Sequence, residues 1–248
     1  MPGMDCGSCH AGVSEHLPLM ATFRTTTTEL AGAGDLDASR SVRCTHRPTC
    51  LDMPFHHFIR ETGGWRTLSN EILFANPYLE VHRPIVTTPT RPVPFPWTVA
   101  HRKGAVVVVP QTADGRYLLV RQERVPIRAT IWEFPAGQID DHEEPDAIRA
   151  TGLRELREES GYELASGGEI VSLGHFFPSS GFTDEHSHLL LARPVVPSPL
   201  GHRHDAHEAI TECRAYSLEE LRAMIARGEI CDANTLASFA RLIAMGLA

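Results

Sequence analysis

Apolar residues show no regular spacing over roughly the first fifty positions and fall into recognisable patterns from about Trp65 onward. Residues 71–74 and 78–86 carry the β-branched and aromatic content of strands, and Asn76-Pro77 between them is a turn signal. Residues 87–96 are rich in Thr and Pro and read as a loop. Residues 97–109 read as one strand, ending in a continuous apolar run at 105–109 that suits a fully buried position. Asp114-Gly115 supplies a hairpin turn, and residues 117–122 return as the partner strand. A short extended segment at 131–134 is closed by Pro135. Residues 145–160 are predicted to be helical: Pro145 suits the first turn, and Gly161 is a natural stop. Strands are expected near 169–177, 186–193 and 209–216, followed by two helices. Ser217, with Glu220 three positions on, caps the first of these, and Asp232 the second. Strands that flank a single central helix predict an α+β layer architecture rather than a repeated βαβ array.

The chain's 248 residues, 42% of them hydrophobic, suffice for one packed domain of roughly 150–200 residues with appendages. A net charge of -8 argues against a non-specific nucleic-acid binder, which needs clustered Lys and Arg. A few placed arginines or a divalent metal would still bind a phosphorylated small molecule. No apolar run reaches the ~18–20 residues of a membrane span, and no secretory signal pattern opens the chain, so the expected location is cytoplasmic. Residues 1–52 read as a disordered extension, with Met53 a candidate start of the ordered part. Cys6, Cys9, Cys44 and Cys50 fall within that stretch and offer a zinc site as the alternative; Cys6, Cys9 and His10 also have the spacing of a haem attachment motif, which would require export.

The most informative stretch is Arg154-Glu-Leu-Arg-Glu-Glu-Ser-Gly-Tyr162. Glu155, Glu158 and Glu159 stand at i, i+3 and i+4, so they share one helical face. Like charges at that spacing repel, and a hard cation would turn the repulsion into ligation. The bland alternative is a solvated Glu/Arg face, common on exposed helices. Against it stands the preceding loop, Trp132-Glu-Phe-Pro-Ala-Gly137, which turns through Gly137 and would bring a backbone carbonyl towards the carboxylates.

Gly137 followed by residues 154–162 resembles the Nudix box, G-x5-E-x7-R-E-U-x-E-E-x-G-U. Glu-Phe-Pro-Ala-Gly137 before it, Pro178, Gly181-Phe-Thr-Asp-Glu185 and the ending at 228–236 are similar to the ADP-ribose pyrophosphatase branch of that family. The resemblance covers about residues 65–245. It implies an α+β fold, a Nudix-like α/β/α sandwich with a mixed sheet, preceded by an N-terminal antiparallel β subdomain at 53–100, with the hydrolase domain at 101–248. It also implies Mg²⁺ or Mn²⁺ held mainly by Glu155 and Glu159, supported by Glu158 and joined by the Ala136 carbonyl, with Arg154 fixing a helical carboxylate. Glu185 would be the water-activating base. Arg124 is a candidate for holding a phosphate, Glu133 for bonding the substrate or a metal-bound water, and Trp97 for stacking a nucleobase. The substrate implied is a nucleoside diphosphate sugar, with no nucleic-acid or membrane partner, in a homodimer that exchanges N-terminal strands.

Two departures from the pattern matter. Arg154 comes three residues late, so the first box acid is either Glu143, counted from Gly137, or Asp146, counted back from Arg154 and favoured by helical register. Ser179-Ser180-Gly181 stands where the branch has Ser-Pro-Gly. His186, His188, His202, His204 and His207 are expected to be solvated loop histidines, given the Pro and Gly around them. Two rival functions are hydrolysis of another diphosphate such as FAD or NADH, and non-catalytic ADP-ribose sensing. Retention of all three helical carboxylates speaks against the sensor.

Overall fold

The computed structural model describes residues 63–139, 143–203 and 209–248. The first 62 residues, including the cysteines considered above for zinc or haem, lie outside the described residues, as do His204 and His207.

The first sheet is antiparallel. β1 (Arg66–Ala75) pairs with β2 (Glu80–Thr88) across a turn in which Asn76 Oδ1 accepts hydrogen bonds from the amides of Tyr78 and Leu79, both at 2.8 Å. β3 (Arg91–Pro96) and β4 (Val99–His101) lie end to end along the other side of β2. This corrects two expectations. Residues 91–96 form a strand rather than a loop: proline cannot donate to a ladder, but an edge strand tolerates that loss, and β3 pairs only with β2. The run from 97 to 109 is two strands rather than one. It breaks at residues 102–104, where the chain passes from the first sheet to the second.

The second sheet is mixed and seven-stranded. β5 (Ala105–Thr112) lies inside it, with β6 (Tyr117–Arg124) and the short β8 (Ala136–Gln138) antiparallel to it; β7 (Ala129–Glu133) pairs with β6. Helix α1 (Pro145–Ser160) follows, then β9 (Tyr162–Phe176), β10 (Ser187–Pro197) and β11 (Ile210–Tyr216), and finally α2 (Leu218–Ala226) and α3 (Ala233–Ala244). β10 runs parallel to β5 and antiparallel to β9, and β11 closes the far edge on β6. β9 begins seven residues earlier than its hydrophobic pattern predicts. Gly167 and Gly168 interrupt the pattern where the register to β10 shifts, and Gly167 takes φ 76.

β5 shows why the sheet must be covered on both sides. Val107 and Val109 enter one core with Leu221 and Met224 of α2 and Leu242 of α3. Val106 and Val108 enter the other with Ile148 and Leu156 of α1. Burying each valine contributes on the order of 1.5–3 kcal/mol before entropy is counted. The result is an α+β fold with an α/β/α sandwich behind an antiparallel N-terminal sheet. Gly152 lets α1 sit close: a Cβ there would press on Leu190, Val108 and Val106 at 3.0–3.3 Å. Among the described residues no helix is long and apolar enough to cross a membrane.

Candidate active site

Helix α1 starts on Pro145 and ends at Gly161, whose φ of 73 is left-handed and whose amide bonds back to the Arg157 carbonyl at 2.9 Å. Its inner face packs Leu156 on the sheet, which carries Glu155 and Glu159 inward with it; these two carboxylates are only 5% and 2% exposed. Glu159 Oε2 accepts the backbone N–H of Ala136 at 3.0 Å. Glu155 lies against Gly137 so closely that a Cβ at that glycine would overlap its carboxylate. Arg154 bridges two of the acids, with Nη2 2.7 Å from Glu155 and Nη1 2.8 Å from Glu158. Glu158 is more exposed and also meets Arg157 at 3.4 Å. The three helical carboxylates therefore divide. Glu155 and Glu159 back onto Ala136 and Gly137, which form strand β8 rather than the turn expected there, and Glu158 faces the arginines.

Two buried carboxylate groups beside a glycine that leaves room for no side chain form a hard-oxygen donor set. That set fits Mg²⁺, which takes one or two protein carboxylates and completes its shell with water and phosphate oxygens. Of the two acids at the head of the helix, Asp146 is exposed in the first turn, and Glu143 is the one the fold draws inward, onto His186 and His188.

At the end of β6, Arg124 grips Glu133 with its guanidinium fork, Nε lying 2.9 and 3.1 Å from the two carboxylate oxygens and Nη2 closing the pair. Burial holds the Glu133 carboxyl above its ordinary range, with Arg124 opposing the shift. The hydrogen bond to Glu133 in turn raises Arg124, and the charges of Asp232 and Glu159 act on it in the same direction. Next to Glu133, the Phe134 amide donates to Thr235 Oγ1 at 3.0 Å, and Asp232 caps α3 on the Thr235 amide at 2.8 Å. Asn234 Oδ1 accepts from Ser187 at 3.0 Å. The segment ending in Asn234 and Thr235 thus ties α3 to both the Glu133 strand and the head of β10.

The loop bearing Glu185 is fixed to the first sheet. Ala100 of β4 donates to the Phe182 carbonyl at 3.0 Å, and Thr183 Oγ1 donates to the Ala100 carbonyl at 2.7 Å. His101 pairs with Asp184, a hydrogen bond that raises the imidazole pKa, and Arg102 Nη1 pairs with Glu185 at 2.9 Å. Trp97 stands apart from these contacts, half exposed, edge-on to Phe95 at 6.3 Å.

His186 and His188 correct the expectation of solvated histidines; they are 0% and 9% exposed. His186 immediately precedes β10 and His188 is its second residue, at the end of the strand where the first six residues are all buried. His186 Nε2 lies 2.7 Å from Glu143 and His188 Nε2 3.3 Å. Burial alone would lower His186, but the Glu143 hydrogen bond and charge more than offset it, so its pKa stands above the ordinary value. His202, by contrast, is exposed. Sequence reasoning also missed His101–Asp184 and the Asn234 and Thr235 ties. The signal available for His186 and His188 was their alternation, i and i+2, on the approach to an apolar strand.

The site is thus an acid-faced helix packed on one side of a mixed sheet, with two buried carboxylates against the glycine-bearing strand β8. The chain belongs to the NUDIX domain family, whose model matches residues 101–239. It is 32% identical over 171 residues to an ADP-ribose pyrophosphatase of Bacillus subtilis (strain 168), covering 68% of this chain and 88% of that protein. It is 30% identical over 171 residues to a methanol dehydrogenase activator of Bacillus methanolicus, covering 69% and 88%. Among solved structures, an ADP compounds hydrolase superposes with a TM-score of 0.61 at 17% identity, over 75% of this chain and 98% of that one, a likeness of fold.

Proposed function

We propose that this Nudix hydrolase cleaves the diphosphate of a nucleoside diphosphate sugar, with ADP-ribose as substrate and AMP and ribose 5-phosphate as products, using Mg²⁺ or Mn²⁺. The observation that carries the reading is that buried Glu155 and Glu159 both lie against adjacent residues of β8, Gly137 and Ala136. The ADP-ribose pyrophosphatase relative supports the substrate. A bound dication supplies neutralisation of the negative charge on the diphosphate. Glu155 and Glu159 would hold it, with Ala136 beside them and Glu158 in support.

The chain's own groups do the rest. Arg154, spanning Glu155 and Glu158, fixes the carboxylate rotamers, a positioning role. Glu185 accepts the proton of the attacking water at its carboxylate, a contribution of about 10²–10⁴-fold for a placed base. Its loop keeps its aim through the bonds to Ala100 and His101. Arg124 offers guanidinium N–H groups to a phosphate from an orientation that buried Glu133 holds. Trp97 offers an exposed ring for the base.

The same reading takes residues 53–100 as a subdomain that contributes to a homodimer and 101–248 as the hydrolase domain, in the cytoplasm. Supporting the dimer, Trp65, Leu68, Ile72, Leu73, Phe74 and Val93 of the first sheet and its flank are about half or more exposed, a larger apolar display than a monomer usually keeps.

The test is a substrate panel with Mg²⁺: ADP-ribose, other nucleoside diphosphate sugars, FAD and NADH. ADP-ribose is expected to give the highest kcat/KM and to release AMP. A tenfold preference for another member, or no hydrolysis at all, overturns the substrate assignment.

A further inference from the structure

We propose that Glu143, His186 and His188 form a second metal site, sharing no ligand with Glu155, Glu158 and Glu159, that takes a transition-metal dication of the zinc class. Among the described residues this is the one set of three His, Cys, Asp or Glu side chains whose donor atoms all lie within 4.8 Å of one another. Glu143 Oε2 stands 2.7 Å from His186 Nε2 and 3.3 Å from His188 Nε2. Ligands about 2.1 Å from a tetrahedral ion are separated by ~3.4 Å, so the Glu143–His186 pair needs to open by about 0.7 Å to admit it, and the Glu143–His188 pair hardly at all.

Burial supports the assignment. The three side chains are between 0% and 11% exposed, and polar groups withdrawn from water need partners of high quality. The backbone leaves the space: a Cβ at Gly104 would overlap the Glu143 carboxylate and lie 2.9 Å from His186 Nε2. The orientation is also that of a ligand. His186 Nδ1 faces the Asp184 carbonyl at 3.3 Å, which turns Nε2 towards Glu143; the outer nitrogen of a metal-binding imidazole is commonly held by a carbonyl in this way.

Chemistry separates the two sites. Two imidazoles and one carboxylate are a three-ligand zinc set that leaves a fourth position open, and imidazole also suits Fe, Ni and Cu. Mg²⁺ prefers the all-oxygen box. The position suggests the consequence. Glu143 lies two residues before α1, whereas His186 and His188 lie one and three residues after Glu185, so an ion here ties the head of the box helix to the loop that carries Glu185.

The experiment uses the full chain, stripped with chelator and titrated with Co²⁺ in millimolar Mg²⁺, read by visible absorbance and by metal content after gel filtration. Wild type and Glu159→Gln are expected to take up one equivalent with the intense d–d bands of a four-coordinate nitrogen and oxygen site. His188→Asn and Glu143→Gln are expected to lose at least nine-tenths of that signal. Circular dichroism verifies their fold, and Glu143→Gln keeps a hydrogen-bonding side chain of the same size should His188→Asn unfold. Zn²⁺ is expected to raise the thermal midpoint of wild type by several degrees and that of Glu143→Gln by none. No uptake by wild type overturns the proposal. So do bands that survive in the folded variants, as thiolate ligation elsewhere in the chain would, and bands that vanish in Glu159→Gln.

Discussion

Helix α1 and the loop from Phe182 to His188 both carry acids, but they are built in opposite ways. On α1, Glu155, Glu158 and Glu159 come from five consecutive residues, and helical geometry alone puts them together. Their fine placement then depends on two backbone contacts, Gly137 against Glu155 and the Ala136 amide on Glu159. In the loop, Glu185 owes its position to residues more than eighty positions earlier, through Ala100, His101 and Arg102. A local site is sensitive to the atom it leans on. A site assembled from distant segments is sensitive to the ties that hold it.

That contrast can be broken at either end. Glu185→Gln is expected to lower kcat by about 10³-fold with the fold retained, in the range for loss of a general base; an undiminished kcat in the Mg²⁺ assay would remove Glu185 from the reaction. Gly137→Ala is expected to cost on the order of 10²-fold in kcat/KM, because the new methyl displaces Glu155 and a misplacement of about an ångström costs that much. If its activity equals wild type, the close approach has no catalytic meaning.

Thr183→Ala removes the hydroxyl that satisfies the buried Ala100 carbonyl and is expected to destabilise the protein by about 1–3 kcal/mol in urea melts. It should lower kcat more than a variant equally destabilised elsewhere, since it frees the Glu185 loop.

The smallest effect concerns pH. Asp184 raises the His101 pKa above its ordinary 6.5 in the folded protein. The pair's stabilisation is therefore fully present below the unfolded value and fades as pH rises through the higher folded one. Accordingly, His101→Gln should cost up to about 1 kcal/mol at pH 5.5 and close to nothing at pH 9. A cost independent of pH would mean that the His101 contact is steric.

What the sequence made legible follows the same division. The helix at 145–160, its αL stop at Gly161, the capping box at Ser217 and Glu220 and the cap at Asp232 all appear where their local chemistry placed them. Local signals suffice for elements that satisfy themselves locally. β3 was hidden because its prolines argue against a strand unless the edge position is known, and that position is a property of the sheet. His186 and His188 were hidden because their surroundings come from segments distant in the chain, Glu143 at the head of α1 and Gly104 before β5. The grip of Arg124 on Glu133, nine residues away across β6 and β7, likewise needs the pairing register.

The most direct measurement is the Mg²⁺-dependent release of AMP from ADP-ribose by wild type and Glu159→Gln, side by side, with circular dichroism on both. Glu159 carries the weight because it joins α1 to the Ala136 amide and is almost wholly buried. The account predicts a folded variant with turnover reduced by at least about 10²-fold, the scale on which a lost metal ligand or its supporting partner acts. A folded Glu159→Gln protein with wild-type turnover would contradict it.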